Sequence, residues 1–162
     1  MSKQIGFDCK LQNNVLIYIL VSQVIIGNVD IKTKSVHFYV QRSSSFGDIT
    51  SGIPFELARL NEGGGMTLYS GVLKAPVAGI YHFAFSGIRE SSAGMLDVYL
   101  QVNGENVGLT NTYGGRASLT ASLRLKAGDE VRLYNYHNSI LYDDQYHRTH
   151  FTGWLVEEDL LL

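Results

Sequence analysis

The chain has 162 residues and a formal charge of -2, with 13 Lys and Arg against 15 Asp and Glu; it lacks the clustered cations that displace counterions from a phosphate backbone, so nucleic acid is excluded as an expected partner. A single cysteine, Cys9, rules out an internal disulfide or a thiolate metal cluster, and reads as an incidental thiol or, in a secreted protein, a link between chains. One domain is expected at this length, and a charged fraction of 17% with 45% apolar residues and ten Tyr, against the ~25% charged of ordinary soluble domains, leans toward an oligomer that hides apolar surface.

Residues 1–34 read as an N-terminal leader and 35–159 as the globular domain. Val15 to Ile26 is mostly apolar, with Lys3 and Lys10 upstream, and is too short to cross a bilayer comfortably. Basic residues ahead of an apolar run resemble a secretory signal, although small residues for cleavage are poorly placed around Ser22 to Gly27; a structural leader reads equally well. No Asn-x-Ser/Thr site helps to decide the compartment.

From Val36 the period is two. Val36, Phe38 and Val40 alternate with His37, Tyr39 and Gln41, as in a half-buried strand. Pro54 and Pro76 lie near the edges of extended runs, where a missing N–H costs little. Gly63-Gly64-Gly65 reads as a tight turn, since no helix or Lys follows to make it a phosphate cradle. Between Ile80 and Phe85, Tyr81, Phe83 and Phe85 form one face and Ile80, His82 and Ala84 the other, and both need cover. Leu96, Val98, Leu100 and Val102 form the next alternation, which Asn103-Gly104 should close as a hairpin onto Glu105 to Leu109. In Ala117 to Leu125 the odd positions are apolar while Ser118, Thr120, Ser122 and Arg124 occupy the even ones, so the register is well fixed. Ala127-Gly128-Asp129 then turns the chain into Val131 and Leu133. Eight or more short strands without an amphipathic helix argue for an all-β antiparallel sandwich; periodicity alone leaves immunoglobulin-like and jelly-roll arrangements both open.

Catalytic machinery is not expected, because no nucleophile is paired with a base and no Gly-x-Ser-x-Gly elbow occurs. The richest stretch for chemistry is His137 to His150. On a strand His147 and His150 would face opposite sides, a poor arrangement for one zinc, whereas a loop would let them converge. Tyr134, Tyr136, Tyr142 and Tyr146 interleave there with Arg132, His137 and Arg148, as suits a recognition surface, though Tyr is also an ordinary strand residue.

The spacing of aromatics and glycines identifies a family. Phe55 is followed after five residues by Asn61, after four by Met66, after six by Leu73, after five by Gly79, and then by Tyr81, Phe83 and Phe85. Ala75-Pro76, Leu123-x-Leu125-x-x-Gly128-Asp129-x-Val131-x-Leu133 and Phe151-Thr152-Gly153-Trp154-Leu155 follow the same pattern. Together they resemble the C1q domain, of the tumour necrosis factor superfamily, from about Val36 to Glu158. Met66 stands where the family favours an aromatic or Leu, and Leu73 where it favours Phe; both remain large and apolar.

The resemblance implies an antiparallel ten-stranded jelly roll, tumour-necrosis-factor-like, that assembles as a homotrimer with Ile80, His82 and Ala84 facing the three-fold axis. Small Ser118 and Thr120 would let copies approach closely, although they read equally as solvated hydroxyls. Phe55, Asn61, Gly79, Tyr81, Phe83, Phe85, Gly128, Asp129, Phe151 and Gly153 would form the core signature. No collagen repeat or sustained heptad precedes the domain in this sequence, so the globular part is expected to trimerise. Tyr142, Asp143, Asp144 and Tyr146 are the candidate ligand contacts. No cofactor is expected; calcium is the alternative, on Asp143, Asp144 and Gln145, but the segment carrying acidic ligands in relatives appears here as Asn111 to Arg116, without a carboxylate. The resemblance implies a secreted, extracellular, non-enzymatic module that binds microbial surfaces, glycans or proteins. A tumour-necrosis-factor-like or adipokine-like signalling ligand is the alternative, and a matrix component a third.

Overall fold

The computed structural model describes residues 33–47, 49–92, 94–136 and 139–160. The apolar run Val15 to Ile26, Cys9 and His137 lie outside them. Strands in chain order are β1 (His37–Gln41), β2 (Phe46–Gly47), β3 (Ser51–Gly52), β4 (Leu57–Glu62), β5 (Met66–Thr67), β6 (Val72–Lys74), β7 (Gly79–Arg89), β8 (Leu96–Val102), β9 (Glu105–Thr112), β10 (Arg116–Leu125), β11 (Glu130–Asn135), β12 (Ile140–Tyr142) and β13 (His150–Glu158). Ten are three residues or longer; β2, β3 and β5 are two-residue pairs.

Every pairing among the described residues is antiparallel. One sheet runs β2-β12-β7-β13-β1-β4, with β10 on the other edge of β7, and the second runs β5-β6-β11-β8-β9, with β3 on β11. The chain crosses from one sheet to the other at β2/β3, β3/β4, β4/β5, β6/β7, β7/β8, β9/β10, β10/β11 and β11/β12, the repeated crossing of a jelly roll. The Asn103-Gly104 hairpin forms as expected: φ is +51° and +86° at its two turn residues, a backbone that Asn and Gly adopt with least strain.

Tyr81, Phe83 and Phe85 point into the core with Phe38, Phe55 and Phe151. Phe38 meets Phe151 edge-on with ring centroids 5.0 Å apart, and the buried Tyr81 hydroxyl donates to the Val77 carbonyl at 2.8 Å, satisfying the polar tip of an otherwise apolar ring. Asn61 Nδ2 donates to the Met66 carbonyl at 2.9 Å and so braces the turn at Gly63 and Gly64, whose φ values are +79° and +68°. Asp129 caps the turn into β11, accepting from Lys126 N at 2.7 Å and Asn103 Nδ2 at 2.9 Å.

Candidate recognition surfaces

The outer face of the β4-β1-β13-β7-β10 layer is ordered in rows by strand register. Glu62, His37, Trp154, His82 and Ser122 form one row; Leu60, Tyr39, Thr152, Ala84 and Thr120 form the next; Gln41, His150, Ser86 and Ser118 form a third. Ile80, His82 and Ala84 are half-buried, and Ser118 and Thr120 are exposed. Trp154 is the aromatic centre: its ring lies 4.6 Å from that of His82 and 5.9 Å from that of His37, and beside it opens a groove of about 310 Å³ lined by Ser35, Val36, His37 and Leu155. Trp154 was not predicted as a surface residue, yet alternation from buried Phe151 places it on the same side as Thr152.

The polar part of this face is a directed network. Arg59 Nε donates to Gln41 Oε1 at 2.8 Å, which fixes the amide orientation, so Gln41 Nε2 donates to His150 Nδ1 and to the Tyr39 hydroxyl, each at 3.1 Å. Tyr39 Oη lies 2.7 Å from the same Nδ1. His150 Nδ1 is therefore an acceptor and its proton sits on Nε2. Burial holds the His150 pKa below its usual 6.5, Asp143 opposing that shift and His147 adding to it.

At the end of this layer the 142–148 segment is tied down by its own acids. Asp143 is buried: Oδ1 accepts from the backbone N–H of Asp144 and Arg148, and Oδ2 from that of Thr149, all at 2.8 Å. This corrects its reading as a ligand contact or a solvated loop-tip acid, because a carboxylate taken up by three backbone donors presents nothing outward. Asp144 accepts from Arg148 Nε at 2.9 Å, Tyr146 N at 2.9 Å and the Tyr142 hydroxyl at 3.2 Å. Burial pushes the Asp144 pKa up, but these donors outweigh it and the net shift is downward. With their oxygens so engaged and a guanidinium alongside, Asp143 and Asp144 do not fit a calcium site. Tyr142 is half-buried and Tyr146 is exposed, and the Arg148 guanidinium lies 5.8 Å and 5.2 Å from their ring centres.

His147 and His150 do not converge. His147, in a left-handed conformation with φ +51°, donates from Nδ1 to the Arg42 carbonyl at 2.8 Å, while His150 joins Tyr39. Arg42 carried no signal in the sequence: it is buried, ion-paired to Glu56 at 3.0 Å and set over the Phe46 ring, anchoring the segment from below.

The C1q domain family model matches residues 37–156. The chain belongs to the C1q domain family. Complement C1q tumor necrosis factor-related protein 3 of Homo sapiens is 31% identical over 128 residues, covering 76% of this chain and 52% of that protein; the chain thus spans about half of that relative's length. In fold, this C1q domain is similar to the globular domain of zebrafish complement 1qA, with TM-score 0.64 and 18% identity over 76% of this chain and 99% of the other. It is also similar to murine APRIL, with TM-score 0.60 and 12% identity over 75% and 100%. Membership supports a C1q-type binding module or a tumour-necrosis-factor-like ligand, which is a binding and signalling fold rather than an enzymatic one. Among the described residues no helix is long and apolar enough to cross a membrane.

Proposed function

We infer that this C1q domain is a secreted homotrimer that recognises microbial-surface, glycan or protein ligands in innate immunity, without enzymatic activity and without binding nucleic acid. The observation that carries the reading is the pairing of two incompletely covered surfaces. One is the outer face centred on Trp154, His82 and Ile80. The other is the open edge at β9 and β10, where Val107 and Leu109 are exposed and the core-facing Leu119, Ala121 and Leu123 are only partly buried. Two different surfaces on one subunit make a head-to-tail contact, which must close into a ring or run on as a filament. Three copies close it, with Ile80, His82, Ala84, Ser118 and Thr120 at the contact. Tyr142, Asp144 and Tyr146 then stand at ligand-facing loops, repeated three times, and avidity exceeds single-site affinity by ~10² or more.

Light scattering on the purified full chain should give three times the monomer mass, and a microbe and glycan-array pull-down should capture specific surfaces. A monomer at micromolar concentration, or an array without binders, would refute the respective half of the reading. The tumour-necrosis-factor-related name of the human relative favours a second reading, a signalling ligand. It is told apart by stoichiometric binding to one host receptor.

A further inference from the structure

The turn that closes the β8–β9 hairpin carries a chemistry that the recognition surfaces do not use. Asn103 is the only asparagine in the chain followed by glycine. Asn61, Asn106, Asn111 and Asn135 precede Glu, Val, Thr and Tyr, whose Cβ atoms crowd the backbone nitrogen that follows the asparagine. Gly104 has no Cβ, no atom lies within 4 Å of where one would stand, and both turn residues are exposed. A carboxamide thus sits beside an uncovered backbone nitrogen in water. Water is the only co-reactant that this pair needs, so the site requires no docking face.

What restrains the pair is a clasp. Asn103 bonds to residues of the β10–β11 turn three times: its N–H donates to the Glu130 carbonyl at 2.8 Å, Nδ2 donates to Asp129 Oδ1 at 2.9 Å, and Oδ1 accepts from Glu130 N at 2.9 Å. Both ends of the carboxamide are therefore taken, and its plane is fixed against a neighbouring turn rather than against its own chain. The acceptor is fixed in turn, because Asp129 Oδ2 takes the Lys126 N–H at 2.7 Å.

We propose that Asn103 is a deamidation site, silent while the clasp is closed and reactive when it opens, and that its conversion unfastens the two turns for good. In the open state the Gly104 nitrogen loses its proton to solvent base and attacks Cγ of Asn103. A C–N bond forms and closes a five-membered succinimide; the Cγ–Nδ2 bond breaks, and Nδ2 leaves as ammonia with a proton returned by solvent. Water then adds to one or other ring carbonyl, leaving aspartate or, with one extra backbone methylene, isoaspartate. Either product lacks the Nδ2 donor and sets a second carboxylate against Asp129, where like charges at hydrogen-bond distance repel. Isoaspartate also lengthens the two-residue turn that fixes the pairing of Val102 with Glu105.

The test incubates the full chain at neutral and mildly alkaline pH and follows each asparagine by peptide mass mapping, with isoaspartyl methyltransferase as a second readout. Position 103 should convert faster than positions 61, 106, 111 and 135, and more slowly than the same asparagine in a free peptide of residues 98–108. Asp129→Ala should raise the rate by about threefold or more, the gain in open population when one surface hydrogen bond goes. A measurement on the unaltered chain covers the case in which that variant does not fold: low denaturant should raise conversion in step with hydrogen exchange of the Asn103 N–H, which the clasp also holds. Asn103→Asp, which installs one natural product, should keep the β-sheet circular dichroism and lower the denaturation midpoint. Equal rates in the folded chain and the peptide, conversion led by another of these asparagines, or no conversion at position 103 even in low denaturant would each overturn the gated site. A midpoint in Asn103→Asp as high as that of the unaltered chain would overturn the unfastening.

Discussion

Gly153 is a signature residue with a steric cause: a Cβ there would lie 2.6 Å from Phe38 Cε1 and 2.7 Å from Phe83 Cδ1. Both are core rings that cannot retreat, so Gly153→Ala should cost about 1–3 kcal/mol through overpacking, read as a lowered denaturation midpoint. An unchanged midpoint would mean that the rings move freely. His150 gives the residue-scale pH dependence. Burial lowers its pKa from the usual 6.5, so the unfolded chain takes up the proton first, and the stability it contributes is full above pH 6.5 and lost as pH falls toward the folded value. Denaturant midpoints should therefore decline on acidification below pH 6.5, with a shallower slope in His150→Gln. Lower still, Asp129 and Glu158 act in the same direction. Hydrogen bonds, led by those from Asn103 and Thr33 respectively, hold each below its usual 3.8 or 4.5, and that contribution is lost as they protonate.

At the scale of elements, the β8–β9 hairpin and the β10–β11 turn are fastened together. Asn103 donates to Asp129 Oδ1 and accepts from Glu130 N, both at 2.9 Å, while its own φ of +51° sets the hairpin. Asn103→Ala should cost about 1–2 kcal/mol from lost hydrogen bonds and left-handed strain, and its effect should be less than additive with Asp129→Ala because the two share a bond. Strict additivity in chemical denaturation would show the two turns to be independent. The central strand β7 presents a contrast: Phe83→Ala should cost about 3–5 kcal/mol, whereas the exposed Thr120 on neighbouring β10 should tolerate Ala within about 0.5 kcal/mol. Alternation made this contrast readable, since a period of two assigns Phe83 and Thr120 to opposite faces.

For the whole molecule, a charge placed on the proposed contact separates folding from assembly. Ile80→Glu should retain the β-sheet circular dichroism while light scattering falls to monomer mass; a trimer that persists would remove Ile80 from the contact. The outer face itself was only partly legible. Ile80, His82 and Ala84 stood out because they oppose three aromatics, but Trp154, His37, Tyr39 and His150 join them only through strands that are distant in sequence. Asp143 reads in the sequence as one of two equivalent acids, and its burial depends on where the backbone N–H groups of Arg148 and Thr149 fall.

Local pattern by itself determined the all-β class, the inward faces of β7, β8 and β10, the Asn103-Gly104 hairpin and the family, because period-two burial and steric glycines are properties of neighbouring residues. Tertiary structure alone decided which strands became neighbours. It thereby placed Arg116 on β10 and Arg148 on the loop before β13, 32 positions apart in sequence, on one cleft, set the proton of His150 through Arg59 and Gln41, and separated Asp143 from Asp144. The physical reason is that hydrogen-bond partners and charge neighbours are set by cross-strand register and loop closure, long-range contacts that alternation along one strand does not encode.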